Sequence, residues 1–323
     1  SNYILYRGLK RIGADVDYVI PHRIKDGYGI SDDIMDKAIE DGIQTIITCD
    51  NGIAAFDAVS KAKDAGISVV ITDHHEVPFR EVNGERQYIL PPADAILDSK
   101  KQTCNYPYTE LCGAGVAYKF VEALYTKRDV PLSELEAFLE FVAIATICDV
   151  VPLNGENRTF VVKGMPRIKH SSNAGIRALI RVNELSDVPI NAGHIGFKIG
   201  PCINASGRLE TAMTAMELFL EENGEAALAK AAELKNINEE RKELTVKGVQ
   251  EAEEEVNKLA GDKVYVIYLQ GCHESLAGII AGRIREKYNH PVFVLADSDD
   301  PEVVKGSGRS MDEYNMYEAL QEC

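Results

Sequence analysis

The sequence reads as an α/β protein, with an open parallel-sheet domain joined by a long helix to a second, smaller α/β domain. Three observations predict this. Between Thr45 and Thr72 a strand, a helix and a strand follow one another within about 30 residues, the pattern of a parallel βαβ unit. From Ala226 to Leu259 a proline-free stretch keeps helical spacing. After Gly261 strand and helix patterns return. At about 100–200 residues per domain, 323 residues make about two domains. The boundaries fall at 1–220, 221–260 and 261–323.

In chain order, Asp15–Ile20 (DVDYVI) predicts a short strand, followed by a turn through Gly27 and Gly29. Ser31–Asp41 predicts a helix stopped by Gly42. Thr45–Cys49 is a β-rich run that ends at Asp50-Asn51-Gly52. Ala54–Ala65 is helical, with Gly66 as its C-terminal cap. Ser68–Thr72 is the next strand and ends at Asp73-His74-His75. Glu76–Tyr108, rich in Pro and polar residues and containing Pro91-Pro92, reads as a loop. Ser133-Glu134-Leu135-Glu136 reads as a capping box that opens an apolar helix running to about Cys148, with Asp149 at its end. In the long helix the apolar positions are Leu228, Ala231, Leu234, Ile237, Leu244, Val249, Ala252 and Val256. Beyond it Lys263–Leu269 predicts a strand, Ala277–Tyr288 a helix, Pro291–Leu295 a strand and Tyr314–Glu322 another helix.

A chain 45% hydrophobic and 27% charged has ample material for a core, which excludes wholesale disorder. No apolar run approaches the roughly 20 residues of a membrane helix, and no secretory leader pattern opens the sequence. Seven cysteines without a C-x-x-C pair exclude a disulfide scaffold and a zinc ribbon. They read as core residues and fit a reducing, cytoplasmic compartment. A net charge of −16 speaks against a protein that coats duplex nucleic acid, although a basic channel can sit within an acidic surface. From Glu217 to Ala260 twelve Glu face six Lys or Arg, a balance of −6. From Arg158 to Asn183 there are six basic residues (Arg158, Lys163, Arg167, Lys169, Arg177, Arg181) and no acid. That run reads either as a solvated helical surface or as a phosphate-tracking stripe.

Ligands of open parallel sheets gather outside the carboxyl ends of the strands. Asp50 and the triplet Asp73-His74-His75 occupy two such ends, and neighbouring strands lie about 4.8 Å apart, so the side chains can converge on one ion. A carboxylate with an imidazole suits Mn²⁺ or Zn²⁺ better than Mg²⁺. A single strand-end Asp is ordinarily a turn residue or helix cap; on spacing alone the turn and the metal site both stand. Gly113-Ala114-Gly115 lacks the third glycine and the preceding strand of a dinucleotide loop and reads as helix packing. Asn157-Arg158-Thr159 is a glycosylation sequon in form only. His22, His170, His194 and His290 read as ordinary surface or core residues.

Asp73-His74-His75, preceded by Thr48-Cys49-Asp50-Asn51-Gly52, resembles the DHH phosphoesterase superfamily. Within it, Gly200-Pro201-Cys202-Ile203-Asn204-Ala205-Ser206-Gly207-Arg208-Leu209 is similar to a segment of the RecJ single-strand-specific exonucleases. The stretches His273–Arg283 (HESLAGIIAGR) and Lys305–Ser310 (KGSGRS) resemble the RecJ form of the DHH-associated domain. The four motifs stand in the family's order and span nearly the whole chain.

The resemblance implies roles residue by residue. Asp50 matches an aspartate that bridges two metal ions, His74 an imidazole ligand, and Asp149 a further carboxylate ligand. Asp73 would orient the histidines, and His75 would lie near the scissile phosphate. Arg208 and Arg309 match positions facing substrate phosphates, where a planar bidentate donor is apt. Asn204, His273 and Ser307 are further substrate-binding candidates. The implied activity is two-metal, Mn²⁺- or Mg²⁺-dependent 5′→3′ hydrolysis of single-stranded DNA in recombination and repair. Single-strand-binding or repair proteins are the implied partners, and no membrane is. A single strand is expected to run in a cleft between the two domains. The family's D-x-D-x-x-G motif and its Gly-Gly-His segment are absent from the sequence, and Cys202 stands where many relatives carry Arg. The resemblance therefore implies a fragment cut at both ends, with ligands for one ion missing and activity of its own in question. A small-substrate DHH phosphodiesterase and a non-catalytic binding relative remain as alternatives.

Overall fold

The computed structural model describes residues 1–22, 29–209, 211–259, 261–298, 300, 302–312 and 314–321. The chain forms two units: residues 1–207 with 211–235, and residues 208–210 with 236–323.

The first unit is organised by a three-stranded parallel sheet. β1 (Thr45–Cys49) and β2 (Ser68–Thr72) are rich in β-branched residues and pair with Thr45 opposite Ser68 and Cys49 opposite Thr72. β5 (Ala95–Leu97) adds to β2, with Thr72 opposite Leu97, which gives the order β1-β2-β5. α1 (Asn2–Arg11) precedes the sheet, and α2 (Asp32–Glu40) and α3 (Phe56–Asp64) cover it. Met35, Ala58, Val59, Ala62 and Ile67 pack on Val69 and Ile71 of β2. Ser31 caps α2, its hydroxyl accepting from Ile34 N. The helical remainder comprises α4 (Gly113–Lys127), α5 (Leu139–Cys148), α6 (Gly155–Ile168), α7 (Ala174–Val182), α8 (Ala192–His194), α9 (Gly200–Leu209) and α10 (Met213–Leu220). α5 is apolar all round and buried over Leu139–Ile144, as a helix at the centre of a bundle must be. A π-helical segment, Ile195–Ile199, leads into α9.

Four expectations are corrected here. Asp15–Ile20 is not a strand: it runs on without a partner strand among the described residues, with Tyr18 set edge-on against Tyr6. Gly27 lies outside the described residues. Glu76–Tyr108 is not only loop. It holds β5 and an antiparallel hairpin, β3 (Phe79–Val82) with β4 (Glu85–Tyr88), turning at Asn83-Gly84, both with positive φ. Ser133–Glu136 is not a capping box. Leu132–Phe138 is a 3₁₀ turn with Pro131 before it, and Glu134 and Glu136 reach instead to Arg11 and Arg167. Guanidinium partners distant in sequence thus replace the local backbone bonds of the box. The last helix, α13 (Met316–Gln321), starts two residues later than the pattern places it, because Asn315 Oδ1 accepts from Tyr317 N and Glu318 N. Glu322 and Cys323 lie outside the described residues.

α11 (Gly224–Lys258) begins in the first unit and continues in the second from Asn236. None of its glutamates is buried. In the second unit β6 (Tyr265–Leu269) and β7 (Val292–Asp297) are parallel, and β8 (Val304–Arg309) joins β7 antiparallel. α12 (Ala277–Tyr288) packs its Ala277, Ile280, Ala281 and Ile284 against Ile267, Leu269, Val292 and Val294.

Half of the six basic residues in the run 158–183 are engaged locally. Arg167 pairs with Glu136, Lys169 Nζ donates to Val188 O, and Arg177 donates to Ser171 O and Ser172 O. The sequon residue Asn157 is fully buried and donates to Glu110 O and Pro152 O, out of reach of any modifying enzyme. No disulfide links the described cysteines, of which Cys112 and Cys202 are buried and the others half-buried.

Candidate active site

Because β1, β2 and β5 are parallel, the residues after them share one sheet edge: Asp50, Asp73 and Asp98. The ladder runs on into them, Asp50 N donating to Thr72 O and Asp73 N to Leu97 O. Asp73 is 1% exposed and is held from several sides. Its Oδ2 accepts from Ile53 N (3.0 Å), and its Oδ1 accepts from His74 N (2.8 Å) and lies 2.7 Å from His75 Nδ1. Burial works against the Asp73 anion, but these bonds outweigh it and hold the carboxyl below its ordinary range. The same Asp73 contact raises the His75 pKa against the effect of burial.

His74, 11% exposed in its side chain, reaches the other carboxylates. Its Nε2 lies 2.8 Å from Asp50 Oδ1 and 3.7 Å from Asp149 Oδ2. Asp149 is brought there by the C-terminal end of α5, where the next residue, Val150, turns into the left-handed region (φ 58°). Burial raises the Asp149 pKa. Asp50 itself has φ 60° and lays its carboxylate against Gly113, the first residue of α4. A Cβ at 113 would stand 2.4 Å from Asp50 Oδ1, so the close approach depends on glycine. For Asp50, burial is outweighed by the His74 hydrogen bond, and the carboxyl sits below its ordinary range.

Donor atoms of Asp50, His74 and His75 all lie within 4.8 Å of one another. A carboxylate with two imidazoles fits a Mn²⁺-type cation by donor chemistry, and Asp149, 3.7 Å from His74 Nε2, stands beside that group rather than in it. Asp98 has no place in the sequence reading. It is 2% exposed, its Oδ1 accepts from Lys100 N, and its Oδ2 has no partner among the described residues. Burial raises its pKa, and the charge of Asp73 adds to that. The available signal was Ala95-Ile96-Leu97-Asp98, a third apolar run ending in Asp, hidden inside a Pro-rich segment.

A second cluster forms at the start of α12. His273 Nδ1 lies 2.7 Å from Ser275 Oγ, and Arg208 Nη1 donates to Ser275 O at 3.0 Å. Arg309 Nη1 donates to Ser307 Oγ (3.0 Å) and to Gly308 O (2.8 Å). Ser307 and Arg309 lie over Gly278, where a Cβ would stand 2.9 Å from Arg309 Nη2 and 3.0 Å from Ser307 Oγ. Arg208, Arg309, Ser307 and His273 thus belong to one unit and surround a helix N-terminus, a place suited to an anion. Asn204 is exposed on α9 and belongs to the first unit.

The description "DHH family, N-terminal domain" matches residues 1–146, and "DHHA1 domain" matches residues 261–323. The chain is 35% identical over 325 residues to the single-stranded-DNA-specific exonuclease RecJ of Bacillus subtilis (strain 168), covering 100% of this chain and 39% of that protein. It is 36% identical over 324 residues to the protein of the same name from Escherichia coli (strain K12), covering 95% and 54%. The chain therefore spans roughly two-fifths to one-half of these relatives. Among solved structures, an exonuclease RecJ bound to manganese superposes with a TM-score of 0.82 at 30% identity, covering 99% of this chain and 76% of that one. RecJ from Thermus thermophilus in complex with Mn²⁺ gives 0.81 at 29% identity, covering 99% and 44%. Aligned end to end with relatives of one kind, in sequence and in fold, the chain belongs to the RecJ family of DHH proteins.

Proposed function

We propose that this chain carries the hydrolytic centre of a metal-dependent, single-strand-specific 5′→3′ DNA exonuclease of recombination and repair. The observation that carries the reading is His74 Nε2 set between the carboxylates of Asp50 and Asp149. Asp50, His74 and Asp149 are the residues that would hold Mn²⁺ or Mg²⁺. Bound there, the cation would supply Lewis-acid charge to the scissile phosphate and acidify a water molecule. The remaining work falls to side chains. Asp73, fixed by three backbone N–H groups, holds His75 by Nδ1 and leaves Nε2 of the half-exposed ring to face a substrate phosphate. Arg208, Arg309, Ser307 and His273 bind phosphate at the start of α12, and Asn204 contacts the strand from α9. The free cysteines fit a cytoplasmic setting, and among the described residues no helix is long and apolar enough to cross a membrane. Single-strand-binding and repair proteins are the partners this role calls for.

The test is hydrolysis by the whole natural protein of a 5′-labelled single strand, the matching duplex and a dinucleotide, each with Mn²⁺. Asp50→Ala is expected to lose several orders of magnitude in rate on the single strand. Full activity in Asp50→Ala, or cleavage of the dinucleotide alone, refutes the reading; the second result makes the protein a small-substrate phosphodiesterase.

A further inference from the structure

The β3–β4 hairpin is not used by the chemistry above. Among the described residues its strands pair only with each other, and all eight strand residues are exposed. Phe79 and Tyr88 are directly opposite and therefore on one face, their ring centroids 5.9 Å apart at 53°. The Arg86 guanidinium covers Phe79 at 4.4 Å from its centroid. Both aromatic residues remain 38% and 40% exposed, on a ribbon that joins no other strand among the described residues.

The position is informative too. Phe79 lies four residues after His75, and a chain spans at most about 3.6 Å per residue, so the two Cα atoms are within about 14 Å. The link is not loose. Val77, between them, is 4% exposed, and Ile89 N donates to Pro78 O at 2.8 Å, closing the base of the hairpin. The aromatic pair sits at this base, not at the Asn83-Gly84 tip.

We propose that the β3–β4 hairpin is a stacking platform for the single strand, with Phe79, Tyr88 and Arg86 receiving a base within a few nucleotides of the candidate centre. This rests on the reading of the chain as part of a single-strand exonuclease. The chemistry favours a nucleic acid. Aromatic faces and guanidinium planes take any base, since every base has a π-face. Among the described residues neither Arg80 nor Arg86 is ion-paired, so both guanidinium groups remain available to phosphates. A stable protein partner would need about 20–30 residues a side, far more than this ribbon presents.

The experiment is binding of a fluorescent dT oligomer to the whole natural protein in EDTA, where no cutting competes. It is paired with a scan of 2-aminopurine along the strand. Phe79→Ala/Tyr88→Ala is expected to bind about tenfold or more weakly. It should lose the emission change at one 2-aminopurine position while keeping the salt slope of the wild type. Phe79→Tyr/Tyr88→Phe should restore both. Arg86→Ala, a change on an exposed side chain, should weaken binding about threefold and guards against misfolding of the double variant. If Phe79→Ala/Tyr88→Ala binds like wild type with an unchanged 2-aminopurine profile, the platform is refuted and the exonuclease reading stands. If the wild type neither binds nor cuts a single strand, both fall.

Discussion

Asp50 owes its place to the residue it touches as much as to its own strand. A methyl group at position 113 would collide with its carboxylate at 2.4 Å, so Gly113→Ala must displace either Asp50 or the start of α4. Supporting positions around metal ligands typically cost 10–100-fold in affinity when changed. Gly113→Ala is therefore expected to weaken Mn²⁺ binding by about tenfold or more in calorimetric titration of the folded protein. Undiminished affinity would show that Asp50 does not need this approach. At this scale the sequence was legible where chemistry is written in residue types: Asp50 and the Asp73-His74-His75 triplet stand at strand ends in plain view. Gly113 was visible as a close-packing glycine, but its partner was not, because 63 residues separate the two. Asp98 was illegible because a strand of three residues is too short to show a period.

α5 shows how an element sets a titration. It is buried over Leu139–Ile144, and Glu140 on it is 5% exposed, with Ser171 Oγ donating to its Oε1. Burial pushes Glu140 up from 4.5 to about 7. The folded form therefore holds a proton that the unfolded chain releases above pH 4.5, and ∂ΔG/∂pH is negative between the two values. Glu140 favours folding fully below pH 4.5, and that contribution is lost as pH rises through about 7. At about 1.4 kcal/mol per pKa unit, Glu140→Gln is expected to gain on the order of 3 kcal/mol over wild type at pH 8 and little at pH 4. Urea unfolding at the two pH values checks it, and a constant difference would place the Glu140 pKa near its ordinary value. The hairpin carries the matching lesson for strands. Asn83-Gly84 between short runs was the strongest local turn signal in the segment, yet the surrounding prolines and polar residues masked it.

For the molecule as a whole, a net charge of −16 means that a polyanion can be held only where cations are concentrated. The second unit concentrates them at the start of α12, while Lys305 beside it is paired with Glu274. Each phosphate contact on a single strand contributes about 0.7 to the salt slope. Arg309→Ala in the whole protein is expected to weaken single-strand binding and lower the slope of log K against log[salt] by about 0.7. An unchanged slope would mean that Arg309 touches no phosphate. This readout separates Arg309 from the aromatic hairpin, whose loss should leave the slope alone.

Composition and period were enough to give the α/β class, the parallel βαβ unit, the long helix and the return of strands after Gly261, because each rests on local spacing that one segment carries within itself. Ordered motifs were enough to give the family. Only the tertiary structure decided which side chains meet. It joined the end of α5 to the end of β2 at His74 Nε2, gathered Arg208 with Ser275, and set Ser307 and Arg309 over Gly278. It also turned Glu134 and Glu136 to Arg11 and Arg167 and gave Asp15–Ile20 no partner strand among the described residues, though its sequence favours a strand. The physical reason is common to all of these. A helix or strand pattern is a property of neighbours in sequence, whereas a ligand set, an ion pair or a strand pairing needs a partner that only folding brings within about 3 Å.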